Sequence, residues 1–249
     1  MVVRAAAVLA LLAALVVYSQ LAEELPRLAD WGDVVFLALL VIPAMFALVR
    51  LTLPLRDHAG TWHVALAAAT LVVLAVAAEV AGLEILANLL KLAAATAVGW
   101  WFLLFFEASW WVLLVALLII PVDLYSVAQG PTKEITTNRP EVFDALSVFM
   151  RIPGEAATAQ LGLPDVLFFA LFLGATVRFR LRTNLTALLM TLSFGATLAL
   201  AVALDEAGVA ALPLLSVAFV LANGDLLWRS LRGRRDESPE GREPTPGTS

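Results

Sequence analysis

Apolar runs of about 20 residues, separated by short polar segments, fill this chain from Val3 to Leu227. A run of that length crosses the roughly 30 Å hydrocarbon core of a bilayer as one helix. Eight runs qualify: Val3–Gln20, Asp33–Thr52, Thr61–Ala81, Leu83–Leu104, Ser109–Val127, Leu161–Val177, Asn184–Leu204 and Gly208–Leu227. The pattern predicts an all-α fold, a polytopic transmembrane helix bundle of about eight spans. Trp31, Trp62, Trp100, Trp101, Trp110, Trp111 and Trp228 mark run ends, as expected of rings that favour the membrane interface. The first run follows Arg4, as a signal peptide would. The residues Tyr18, Ser19 and Gln20 lack the small side chains of a cleavage site, so the run is expected to be retained.

The polar segments divide the chain. Residues 1–107 carry about four spans. Residues 108–228 carry the rest, with a long loop over 128–160. In that loop Val142, Phe143, Leu146, Phe149 and Met150 recur at helical spacing after Pro140. They predict an interfacial amphipathic helix, with a substrate gate as the second reading. The tail, within 229–249, is rich in Pro, Gly, Glu and Arg, and from Gly233 onward is expected to be disordered. With eight spans, Arg4, Arg50, Arg56, Arg178, Arg180, Arg182, Arg229, Arg232, Arg234 and Arg235 all fall on one side. Arginine-rich loops favour the cytoplasm. The C-terminus is therefore expected to be cytoplasmic and the long loop outward-facing.

Composition agrees with this picture. The chain is 61% hydrophobic and 15% charged, against about half and a quarter in soluble domains. The implied partner is the lipid bilayer. A net charge of −5, with basic residues confined to short loops, argues against nucleic acid. There is no cysteine, hence no disulfide and no thiolate metal site. Lys91 and Lys133 are the only lysines; with abundant alanine, this suggests a GC-rich bacterial genome and a plasma-membrane location.

Two aspartates stand inside apolar runs. A carboxylate in hydrocarbon is expensive, and by default marks function. Asp123 lies 13 residues beyond Trp110, and Asp165 lies 12 residues before Val177. At 1.5 Å per residue, both sit roughly 18–20 Å from the same interface, on antiparallel helices. A facing pair cannot ionise fully and shares one proton. The ionised carboxylate can activate water, and the protonated one can polarise a carbonyl and then protonate the leaving amine. This chemistry needs no metal and no cofactor. Ala211, Leu212 and Pro213 open the last run at about the same height. A proline there leaves irregular backbone, which at membrane depth lines protein or water and offers hydrogen bonds to an extended substrate.

These residues resemble the presenilin and signal peptide peptidase group of intramembrane aspartyl proteases, over roughly Trp110–Trp228. Val122-Asp123-Leu124, followed by Gly130-Pro131, is similar to the family's YD motif and the GP dipeptide after it. Gly162-Leu163-Pro164-Asp165, with Phe168-Phe169 and Gly174, is similar to its GxGD motif. Ala211-Leu212-Pro213 is similar to its PAL motif. The resemblance implies catalytic Asp123 and Asp165. It implies contact of transmembrane peptide substrates with Gly162, Leu163, Pro164, Ala211, Leu212 and Pro213. Val122 replaces the tyrosine, Pro164 the glycine before the second aspartate, and Ala210 the first proline of PAL. Eight spans are one fewer than the family's nine, and the first is the one expected to be missing. An outward loop between the aspartate spans resembles the signal peptide peptidase orientation, which implies type II substrates.

On the residues alone, a proton-coupled transporter explains intramembrane acids as well as a protease does. The apolar segments show no internal repeat, which weighs against the transporter. A catalytically inactive homologue is the third reading, and retention of both aspartates weighs against it. No HExxH zinc motif occurs. His58 and His63 are expected at an interface, Glu79, Glu84, Lys91 and Glu107 to snorkel or pair near span ends, and Asp225 to be interfacial.

Overall fold

A computed structural model describes residues 2–58, 60–129, 140–205 and 209–236. The elements are α1 (Val2–Leu21), α2 (Asp30–Phe36), a π-helical turn (Leu37–Val41), α3 (Ile42–His58), α4 (Thr61–Val80), α5 (Glu84–Phe102), α6 (Ser109–Ala128), α7 (Pro140–Ala145), β1 (Ser147–Arg151), β2 (Thr158–Gly162), α8 (Leu163–Arg178), α9 (Thr183–Leu204) and α10 (Leu212–Asp236). The α2–α3 segment, with its π turn, forms one continuous rod. Among the described residues, seven helices are long and apolar enough to cross a membrane.

The eighth apolar run behaves differently from the others. Leu161 and Gly162 belong to β2, and the helix proper, α8, has only 16 residues. At 1.5 Å per residue it reaches about 24 Å, short of a full hydrocarbon core. It need not face lipid, because it is the centre of the bundle. Val166 and every residue from Phe169 to Thr176 are buried. A helix apolar on all sides belongs in a core. The α5 helix packs closely along it, with α3, α6, α9 and α10 around the rest.

Two glycines set the close approach of α5 and α8. A Cβ at Gly99 would collide with the Leu167 carbonyl, and a Cβ at Gly174 would come within 2.9 Å of Leu103. Small residues allow backbones to approach where lipid supplies no hydrophobic drive. Stacked rings fill the other sides: Phe46 on Phe169 at 3.8 Å and Phe172 on Phe219 at 4.7 Å between centroids. The α5–α8 packing joins a helix that precedes residue 107 to one that follows it.

Three sequence expectations are corrected. The fold is mostly helical but contains an antiparallel two-stranded hairpin. The expected amphipathic helix through Phe149 and Met150 ends at Ala145, and those two residues lie in β1. Part of the tail, up to Asp236, continues α10 as helix; the rest of it lies outside the described residues, as do Gly130 and Pro131. Trp100 is buried and packs near Gly174.

Candidate functional site

Asp165 is placed by the start of α8. Gly162 is the N-cap, Leu163 and Pro164 follow, and Asp165 closes the first turn. Its carboxylate turns back to the Gly162 backbone N–H. This is one half of a capping box, with a carboxylate serving an orphan N–H near the positive helix end. Pro164 occupies a first-turn position that needs no N–H. A Cβ at Gly162 would stand only 3.1 Å from Asp165 Oδ2, so the glycine leaves the room that the carboxylate fills.

Asp123 comes from α6, whose main partner is α10. Its carboxylate meets the backbone N–H of Leu212, in the first turn of α10. That N–H is another orphan donor. Ala211 and Leu212 are buried and Pro213 half-buried, so the three-residue segment faces protein. Asp123 also lies near enough to Asp165 to act on it electrostatically. Both aspartate residues are partly buried, and the Asp165 carboxylate is the more enclosed of the two. All three segments singled out in the sequence therefore meet, with the Asp165 carboxylate at the N-terminus of its own helix and the Asp123 carboxylate at that of α10.

The remaining wall is the hairpin. Ser147 pairs with Gly162 and Arg151 with Thr158. Leu163 donates to the Leu146 carbonyl at 2.9 Å, and Ile152 to Ala157 at 3.3 Å. With antiparallel alternation, the backbone groups of Thr158, Gln160 and Gly162 then point away from β1. Among the described residues the sheet has two strands, so this edge carries no third strand. It runs directly into Asp165.

The opposite edge is closed. Asn88 of α5 uses its side-chain amide as a strand mimic, accepting from Phe149 N–H at 2.8 Å and donating to Phe149 C=O at 2.9 Å. Tyr18 donates to the Arg151 carbonyl, and Arg151 pairs with Glu23 and, at 3.6 Å, with Glu84. Gly154, in the hairpin turn with φ 71°, donates to Ala22 at 2.7 Å. Lys91 is buried; it pairs with Glu79 at 3.0 Å and donates to the Asp144 carbonyl, at the end of α7, at 3.0 Å.

Other residues weighed in the sequence fall elsewhere. Val122, in the tyrosine position, is 58% exposed on the bundle surface. His63 is exposed, and the His58 side chain lies outside the described residues. Asp225 forms a two-pronged pair with Arg182 at 2.6 and 2.7 Å, which ties the α8–α9 turn to α10. Sequence reasoning passed over Pro121, Asn88 and Ser147. Pro121 had a visible signal, a proline inside an apolar run two residues before Asp123, where it removes a helix hydrogen bond. Asn88 and Ser147 had none, because their partners are distant in the chain.

No protein-family model matches the chain, and no curated protein or solved structure matches it.

Proposed function

We propose that the protein is an intramembrane aspartyl protease that hydrolyses peptide bonds in membrane-spanning segments. The observation that carries this reading is the convergence of Asp123 and Asp165 beside the open edge of β2. Each half matches a requirement of the reaction. Peptide hydrolysis needs an extended backbone at the site, and an unpaired strand edge binds one through main-chain hydrogen bonds. Here the donors and acceptors of Thr158 and Gln160 would hold the substrate strand and aim it at Asp165.

The chemistry follows from a shared proton. One carboxylate, ionised, takes a proton from water as that water attacks the scissile carbonyl carbon. The other, protonated, hydrogen-bonds the carbonyl oxygen and stabilises the tetrahedral intermediate. On collapse the C–N bond breaks and the amine leaves with a proton from the dyad. The Gly162 and Leu212 N–H groups stabilise negative charge on the carboxylates. Gly162, Leu163, Pro164, Ala211, Leu212 and Pro213 form the walls nearest the reacting bond.

The same geometry offers a bland alternative. Both carboxylates cap helix ends, which an inactive homologue would also use. Cleavage of single-span substrates by full-length protein in liposomes separates the two. The expected result is cleavage by the wild type and none by Asp123→Ala or Asp165→Ala, with all three inserted alike. Cleavage that survives either substitution refutes the dyad. A wild type inert across type I and type II substrates and a range of pH refutes the protease, and proton-flux measurement then tests a transporter.

A further inference from the structure

We propose that the cleft between α1, α3 and α5, bordered by strand β1, binds one zwitterionic phospholipid with a primary amine. An acyl chain lies in the cleft, and the phosphoethanolamine head sits on a rim made by Glu23, Arg151 and Glu84. The binding stands without the protease reading; only its bearing on cleavage rests on that reading.

The cleft exists because α1 is hardly packed. Leu15 is its only buried residue, and its main helix partner is α3, whereas α5 packs on α4 and α8. Between α1 and α5 lies a cavity of about 390 Å³, counted out to its open mouth. Leu15, Met45 and Leu92 give it apolar walls, and Tyr18, Asn88 and Arg151 give it a polar border. Glu84 opens α5, and Leu92 lies eight residues on, about 12 Å further along the helix. Tyr18 stands in the last turn of α1, and Glu23 just beyond its end. The polar border thus stands where two apolar helices end, the level of lipid headgroups, and the apolar walls reach from there to hydrocarbon depth.

The rim is one cation between two anions. Arg151 Nη1 donates to Glu23, and Nη2 stands 3.6 Å from Glu84, an ion pair too long for a hydrogen bond. Both carboxylates keep open sides, with the Glu84 side chain 72% exposed. A phosphate beside Arg151 takes charge-assisted N–H bonds from the guanidinium. A headgroup with only that negative charge would also face two carboxylates. A headgroup with an ammonium next to its phosphate matches all three charges. A primary ammonium brings three N–H donors to Glu23 and Glu84, where a trimethylated one brings none. Arg151 ends β1, so a lipid held here steadies the closed edge of the hairpin, whose other strand runs into Asp165.

Native mass spectrometry of the full-length protein in detergent tests the proposal. The protein is titrated with dioleoyl phosphatidylethanolamine, phosphatidylcholine or phosphatidylglycerol, and amide exchange over 147–151 is followed in the same samples. One phosphatidylethanolamine is expected to bind about fivefold more tightly than either other lipid, the scale of one exposed charge pair, and to slow exchange over 147–151. Leu89 lines the cleft, so Leu89→Trp puts a ring into it and should abolish the tight binding. Glu84→Gln, at an exposed position, should keep the fold and bring phosphatidylethanolamine and phosphatidylglycerol within about twofold of each other. Should Leu89→Trp fail to fold, Glu84→Gln decides alone. Equal affinity for the three lipids, tightest binding of phosphatidylglycerol, unslowed exchange over 147–151, or a preference unchanged in Glu84→Gln or in a folded Leu89→Trp overturns the proposal and leaves the protease standing. Binding as expected in a protein that cleaves nothing upholds the lipid site and sinks the protease.

Discussion

The two aspartates meet in one place but are held by very different halves of the molecule. Asp165 belongs to a fixed half. Its helix is buried throughout its middle, locked to α5 at Gly99 and Gly174, and preceded by a hairpin fastened to α1 and α5. Asp123 belongs to a looser half. In α6 only Val112, Ala116 and Ile119 are buried, Pro121 interrupts the helix, and Leu117, Leu118, Val122, Leu124 and Tyr125 are exposed. One carboxylate is thus held by the core of the bundle, and the other sits on a more exposed helix packed mainly against α10. Under the proposed function, a substrate strand would meet one well-buttressed wall and one less buried wall.

The contrast can be broken at its strongest point first. Gly99→Ala puts a methyl into the Leu167 carbonyl and should destabilise the fold by about 1–3 kcal/mol, read as a lower unfolding midpoint in detergent. Gly224→Ala, in α10, meets no atom closer than 3.9 Å and should be neutral or stabilising. Equal effects at the two glycines would remove the claim of a specially rigid half. Next, Gly162→Ala crowds Asp165 Oδ2. Because the carboxylate must shift, cleavage should fall about tenfold while the unfolding midpoint barely moves.

A smaller effect is expected at the clamped edge of the hairpin. Asn88→Ala leaves two Phe149 backbone groups without their partner, at a cost of about 1 kcal/mol. Amide hydrogen exchange over 147–151 should rise, with exchange in α8 unchanged. Unchanged exchange over 147–151 would mean that α5 does not hold the strand. The smallest effect is at Val122. Placing a tyrosine there, Val122→Tyr, changes an exposed position and should alter stability by less than about 0.5 kcal/mol and cleavage by less than about twofold.

Much of the helical scaffold was legible because a 20-residue apolar run has few other outcomes in a membrane protein. The segment at Leu161–Val177 was misread in part. Apolar residues continue from β2 into α8 with no break in hydropathy, so the boundary at Gly162 is invisible to composition. The hairpin was missed for a related reason. Val142, Phe143 and Leu146 set a helical period that Phe149 and Met150 extend by coincidence, since a strand also accepts those residues. The turn residues Pro153 and Gly154 carried the better signal.

The site was legible to the extent that its groups announce themselves. Two acids in apolar runs are conspicuous wherever they occur. Ser147, Asn88 and Lys91 are ordinary residues made significant by partners far along the chain: Gly162, Phe149 and Asp144. The burial of Trp100 has the same origin, since Gly174 across the helix crossing offers it a buried slot.

The most direct test of the account is the cleavage rate of Asp123→Asn, Asp165→Asn and the double variant, measured on one substrate in liposomes. Asparagine keeps size and polarity but cannot carry the shared proton. If the aspartates act as one dyad, each single variant loses all activity and the double variant loses no more. A single variant that keeps intermediate activity, with a further loss in the double, would show that the two carboxylates act separately and contradict the shared-proton site.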